Sequence, residues 1–479
     1  MKPDDRLVTT VSASSQSAAD SAIVQLALRC GVDRAVVYAV MTRMWQVLTG
    51  PVSQLLLILF VPSSARDYYF AFTSMLGLQI FIELGLHVVI INLASHEWSK
   101  LRLEAGRLAG DETAKWRLIS LGRMMNRWYA WAAGIFLLFL AVSGWLFFDS
   151  AEQARQEISA SGRGLILWSG PWLALATLTS LQLTLLPGLS ILEGCHQVAN
   201  LYRTRFWQAI AGTISVWLCL VSGLELWALV ISAAVRLAGD FYLVRIRYRT
   251  FFDDFRAIPQ NPVAVIDWKQ EILPLQWRIA VQGFIFWLAV QLPLLFVFRS
   301  RDEGDAARLG MTWTVLTAAQ GAALAWVETR RPMFGSLIAE RKFARLDELF
   351  FRVSGISMVL ITVAAGVLSL IVWFVNSSDV PLAMRIAESL LPPWAAVMLS
   401  LGFVAQQVSQ CVNLYVRAHN RDPFLFASTL SNLTVAGLQL GLGWKFGVTG
   451  VAAGYLLGVS VVQSPILTLI WWRARRDWH

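Results

Sequence analysis

Apolar stretches of membrane-crossing length, set apart by short polar punctuation, dominate the chain from about residue 37 onward. A helix that crosses a bilayer needs about 20 mostly apolar residues. That window predicts twelve spans, at roughly 37–61, 68–93, 128–148, 165–191, 206–224, 226–246, 274–298, 309–328, 353–375, 390–413, 424–443 and 447–471. The narrowest divisions fall around Ser222–Glu225 and around Trp444–Phe446. Residues 1–28 are polar and serine-rich, with no apolar run directly behind a basic start. The expectation is therefore a mobile cytoplasmic tail and not a cleaved leader.

Composition sharpens this picture. Of 479 residues, 56% are hydrophobic and only 15% charged, and the mean hydropathy is +0.56. Such a chain lacks the polar surface to cover itself in water, which excludes a soluble enzyme, a disordered chain and a disulfide scaffold. The 22 Trp and 26 Phe suit a membrane protein, because Trp collects at both lipid–water interfaces. A net charge of +9 reads as basic loops beside a membrane, with no nucleic acid as partner. Cys30, Cys195, Cys219 and Cys411 have no metal-ligand spacing and read as free thiols.

The basic residues orient the chain. With the N-terminus inside, 29 of the 40 Lys and Arg fall on inside segments and 8 on outside loops; Arg43, Arg236 and Arg278 remain within spans. The positive-inside rule then places both termini in the cytoplasm. The loops also repeat. In each half the second span leads into a long basic segment, 96–127 and 329–352. Each carries an amphipathic stretch, Lys115–Leu121 and Arg341–Leu346, expected to lie along the inner leaflet. The predicted architecture is an all-α polytopic membrane protein of about twelve helices, a parallel 6+6 repeat. Its parts are a tail (1–34), an N-lobe (35–246), a cytoplasmic connector (247–272), a C-lobe (273–472) and a short C-terminal tail (473–479). Duplication of this kind suits a transporter.

Polar residues inside spans are the candidate site. A charge there costs about 2.5–3.5 kcal/mol on insertion scales, so it faces a cavity or a partner. Arg43, Gln46, Gly50 and Gln54 share one face of the first span, and Arg278 with Gln282 opens the seventh in the same way. Both arginines either snorkel to headgroups or line a cationic cavity. Gln79, Glu83 and His87 form an i, i+4, i+8 stripe on the second span. Glu83 is read either as an ion-coupling carboxylate or as a salt link to Arg43 or a hydrogen-bond partner of His87. Gln406, Gln410 and Asn413 on the tenth span, Ser428 and Asn432 on the eleventh, and Thr177, Ser180 and Thr184 on the fourth either glue helices or line a wet path for sugar hydroxyls. Arg236 and Asp240 read as a self-neutralised i, i+4 pair. Enzymatic motifs are missing: there is no Walker sequence and no HExxH, and the histidines and cysteines form no ligand cluster. No cofactor and no enzymatic activity are expected.

Two short elements carry a resemblance. Ala65-Arg66-Asp67-Tyr68-Tyr69-Phe70-Ala71-Phe72 enters the second span, with an echo in Ala307-Arg308-Leu309-Gly310-Met311. Phe446-Gly447-Val448-Thr449-Gly450-Val451-Ala452-Ala453-Gly454 enters the last. Together with the topology over most of residues 35–472, these resemble the lipopolysaccharide and polysaccharide flippases of the multidrug/oligosaccharidyl-lipid/polysaccharide exporter superfamily. The resemblance implies two six-helix lobes around a cavity that opens alternately to each side. It also implies a cargo, an oligosaccharide on a polyprenyl diphosphate, moved from the inner to the outer leaflet of a bacterial inner membrane. Arg43 and Arg278 would meet the anionic head, and H+ or Na+ would drive transport. Membrane lipids and a polysaccharide polymerase would be partners. The competing readings are an ion-coupled multidrug or metabolite antiporter of the same superfamily, a major-facilitator carrier and a membrane-bound polymerase. The long loop after the second span disfavours the carrier, and the small outer loops disfavour the polymerase.

Overall fold

A bilayer offers no hydrogen-bond partners, so apolar segments must satisfy their backbone groups internally, as helices do. The computed structural model describes residues 34–158 (without 84), 167–256, 268, 273–299, 304–419 and 424–478. The expected N-terminal tail and most of the connector lie outside the described residues, as do the side chains of Arg278 and Gln282.

In the first half, α1 (Arg34–Phe60) is followed by a second stretch in three pieces, α2 (Ser63–Leu76), α3 (Gln79–Glu83) and α4 (Leu86–Trp98). Then come a hairpin of β1 (Leu101–Glu104) and β2 (Arg107–Gly110), α5 (Glu112–Ile158), α6 (Ser169–Gly194) and α7 (Val198–Val221). The half ends in α8 (Trp227–Phe241), which continues through a π turn (Tyr242–Arg247) to α9 (Arg249–Asp253). The second half contains α10 (Leu273–Val290), α11 (Leu292–Phe298), α12 (Asp305–Glu328), α13 (Arg331–Ala339), α14 (Phe343–Asn376), α15 (Pro381–Ser389) and α16 (Pro393–Ala418). It closes with α17 (Leu425–Leu457), interrupted at Gly447 where φ is 59°, a π turn (Gly458–Gln463) and α18 (Ser464–Trp478). Among the described residues, six helical runs are long and apolar enough to cross a membrane. Among the described residues helix covers most of each predicted span; the first narrow division falls on a helix break and the second lies beside the break at Gly447.

Several expectations need correction. The fold is not purely α: Ala105 and Gly106, both at positive φ (48° and 81°), make the tight turn of the hairpin. Asp254 Oδ2 accepts the Leu108 amide at 3.0 Å, tying that hairpin to the end of α8–α9. Lys115–Leu121 is no separate surface helix. It is the opening of α5, with Leu118, Ile119 and Leu121 buried, because its apolar face finds protein to pack on. Likewise Arg341 sits in a turn (φ 55°) and Phe343 already begins α14. The second span is not one helix, since Gly85 adopts φ 69° and breaks it.

Packing recurs between the halves. α1 lies on α7 as α10 lies on α17, α5 on α6 as α14 on α16, and α4 on α6 as α12 on α16. The buried apolar residues form two clusters. The larger joins both halves and includes Tyr68, Phe72, Phe148, Trp172 and Phe298. The smaller, around Phe334, Phe350, Tyr415 and Trp471, belongs only to the basic end of the second half. The halves thus share a core at one end and not at the other.

Candidate transport site and the contact between the halves

Helix α1 has three faces. One packs on α7 through Trp45, whose indole donates to Thr213 (3.3 Å), and through Ser53, which accepts from the Trp217 indole (2.8 Å). A second is exposed and apolar, with Met44 60% and Leu48 69% accessible. The third is polar: Arg43 and Gln46 are exposed, and Gln54 is half-buried with a carbonyl oxygen that has no hydrogen-bond partner. Separate apolar and polar exposed faces on one helix mean two different surroundings, lipid for one and water or ligand for the other. Arg43 and Gln46 thus stand open on one side of α1, and the side chains of Arg278 and Gln282 lie outside the described residues.

The Glu83 stripe holds together. Gln79 Nε2 donates to one carboxylate oxygen at 2.5 Å, and His87 Nδ1 lies 3.7 Å from the other. Gly85 breaks the helix between Glu83 and His87, and the buried Tyr129 hydroxyl on α5, against which α3 packs, has no hydrogen-bond partner. Among the described residues no ion pair joins Glu83 to Arg43, so the salt link considered from sequence is replaced by the local amide and imidazole.

Most other amides are glue. Gln407 Nε2 donates to Ser357 (2.7 Å), whose hydroxyl donates to the Ala323 carbonyl (2.7 Å), linking α16, α14 and α12. Gln463 donates to Asn432 at 3.0 Å. Gln410 and Asn413 are half-buried and take no part in these links. Thr177 and Thr184 bond back to the carbonyls of Leu173 and Leu181. Arg236 and Asp240 are not an ion pair: Asp240 accepts from Gln182 (3.0 Å) and Gln208 (2.9 Å), while the Arg236 side chain is exposed. Cys195, Cys219 and Cys411 are free and buried, and no group of metal ligands occurs among the described residues.

Sequence reasoning missed the contact between the halves. Asp67 of α2 is fully buried, and its carboxylate accepts the amides of Gly304 and Ala307, both at 2.8 Å. It thereby caps the N-terminus of α12 from the other half, where the helix dipole favours negative charge. Gly304 (φ 90°) turns the chain into that cap. Beside it Arg66 donates to the Ser389 hydroxyl, Arg308 donates to the Glu388 carbonyl (3.0 Å), and Thr312 accepts the Leu391 amide (3.1 Å). Arg66, Asp67 and Arg308 stand in the short motifs that carried the resemblance, but a cap given to a distant helix has no local spacing to betray it.

No family model matches the chain, and no curated protein matches it. Solved structures do. An inward-facing multidrug resistance MATE family transporter of the MOP superfamily is 12% identical, with a TM-score of 0.66 over 93% of this chain and 99% of that one. The lipid II flippase MurJ, in an inward closed conformation, is 12% identical with a TM-score of 0.61, covering 91% and 87%. A MOP superfamily transporter from Pyrococcus furiosus gives a TM-score of 0.50 at 12% identity, covering 94% and 93%. The chain has the fold of these multi-pass membrane transporters.

Proposed function

We propose that the protein flips a polyprenyl-diphosphate-linked oligosaccharide from the inner to the outer leaflet of a bacterial inner membrane. The observation that carries this reading is the polar face of α1, Arg43 with Gln46 and Gln54, held apart from the apolar exposed face of the same helix. A diphosphate cannot enter hydrocarbon without neutralising partners, and a guanidinium offers it paired charge-assisted hydrogen bonds. The two halves act as six-helix lobes, and Arg278 would supply the second cation by the repeat. With the basic end in the cytoplasm, an inward-open state would account for the separate cores there and the shared core opposite. Glu83, at the break in the second helix, would carry the coupling proton or sodium ion.

The test is flipping of a fluorescent polyprenyl-diphosphate sugar in proteoliposomes, scored by quenching from outside. Arg43→Ala is expected to lower the rate at least about tenfold, and Arg43→Lys to restore it only in part, because Lys lacks the planar fork. Full activity in the alanine variant would end the assignment of Arg43. Glu83→Gln, which mimics the protonated acid, is expected to fold and bind cargo yet lose the response to an imposed ion gradient. Retained gradient dependence would make Glu83 structural. Export of a cationic drug with no flipping would instead support the antiporter reading.

A further inference from the structure

The helix pair α7–α8 encloses a groove of about 420 Å3 that belongs to neither the polar face of α1 nor the contact between the halves. The size falls within the roughly 300–1,000 Å3 of small-molecule sites. Its lining is graded along the helices. At the basic end are Asn200, Arg203 and Thr204 from α7 and Arg247 from the π turn; deeper lie Trp207, Ala211 and Val235. A cationic mouth over an apolar trough matches one kind of molecule, an amphiphile with an anionic head.

Three features make this a built site. Among the described residues neither Arg203 nor Arg247 has a carboxylate partner, whereas neighbouring Arg205 lies 3.8 Å from Glu193. The one buried acid nearby, Asp240, is already occupied by Gln182 and Gln208. Second, the π turn widens the helix so that residues five apart share a face, as the Tyr248 amide to Leu243 carbonyl bond (3.0 Å) records. That brings Arg247 into line with Tyr242 on the groove. Third, Gly239 leaves room for Gln208 to cross the floor, since a Cβ there would come within 2.4 Å of its amide nitrogen. The equivalent pairing in the second half has no such space: a Cβ at Gly454 would meet the Leu438 carbonyl at 2.5 Å and one at Gly458 the Val435 Cα at 2.9 Å, so there backbone lies on backbone with no side chain between.

We propose that this groove binds an anionic phospholipid, its phosphodiester between Arg203 and Arg247 and an acyl chain along Trp207, Ala211 and Val235. Basic pockets between helices at the cytoplasmic face are suited to such headgroups, and Trp207 and Tyr242, both more than half exposed, sit as interfacial aromatics do. The leaflet rests on the orientation proposed above; the binding chemistry does not. The site is separate from the cargo's path.

The experiment is lipid titration of the purified full chain in detergent, read by native mass spectrometry. Phosphatidylglycerol is expected to be retained at least about tenfold more tightly than phosphatidylcholine. Arg203→Gln with Arg247→Gln should abolish that preference while leaving phosphatidylcholine binding unchanged. Ala211→Trp, which fills the trough and keeps both charges, should weaken both lipids. Equal phosphatidylglycerol binding by the double variant and the natural chain would overturn the proposal. So would tighter retention of a polyprenyl diphosphate than of phosphatidylglycerol, which would make the groove part of the cargo's route. Inorganic phosphate is not expected to compete at millimolar concentration, and competition by it would show a simple anion site instead. Because no flipping is measured, failure of the transport reading leaves these outcomes intact.

Discussion

The second helical stretch of each half begins with the same dipeptide, Ala65-Arg66 and Ala307-Arg308, and then the two part company. In the first half it is divided among α2, α3 and α4; in the second, α12 runs for 24 residues without interruption. The third residue differs as well, Asp67 against Leu309. The broken member places Glu83 at an interruption, with Gln79 and His87 on either side. The unbroken one is a continuous rod whose N-terminal amides receive Asp67. Two stretches that start alike are thus built differently, one interrupted beside a carboxylate and the other continuous and capped from the opposite half.

This asymmetry can be broken at its strongest point. Hydrogen bonds to a charged acceptor contribute about 1.5–3 kcal/mol each, so Asp67→Ala should shift the balance between joined and parted halves by tenfold or more. Spin labels at Ser63 and Met384, both exposed on opposite halves, are expected to show a new population at longer distance. An unchanged distribution would mean that the cap does not hold the halves together. A smaller effect tests the break itself. Gly85→Ala forces a side chain into the left-handed region at about 1–2 kcal/mol and should lower the unfolding temperature. Gly321→Ala, in α12 with open space around it, should raise it or leave it unchanged. Equal responses would deny that the backbone sets the difference. The smallest expected change is at the far end of the rod. Ser357→Ala removes the relay from Gln407 to the Ala323 carbonyl and should cost about 1 kcal/mol, measured as a modest loss of thermal stability.

Helices, their order and the two tight divisions were legible in the sequence, since apolar length and Lys/Arg placement are properties of each segment alone. The polar stripe of α1 was legible for the same reason: Arg43, Gln46 and Gln54 recur at helical spacing. The break at Gly85 was not, because a glycine inside an apolar run reads equally well as helix, and only its φ of 69° decides. Arg236 and Asp240 misled for a related reason. Their spacing permits a pair, but Gln182 and Gln208 arrive from other helices with better geometry. Lys115–Leu121 was misplaced because an amphipathic face does not say whether protein or lipid will cover it.

The cap at Gly304 and Ala307 has a consequence for how the two halves could drift apart in sequence. Asp67 reads peptide amides, not side chains, so the second half gives the latch backbone shape and no functional group of its own. That shape is still demanding: position 304 sits at φ 90°, where a side chain is strained, and position 307 is buried, which favours a small residue and excludes proline. One half owns the lock, and the other supplies a keyhole cut in backbone. The second half can diversify at this junction only as far as that outline is kept.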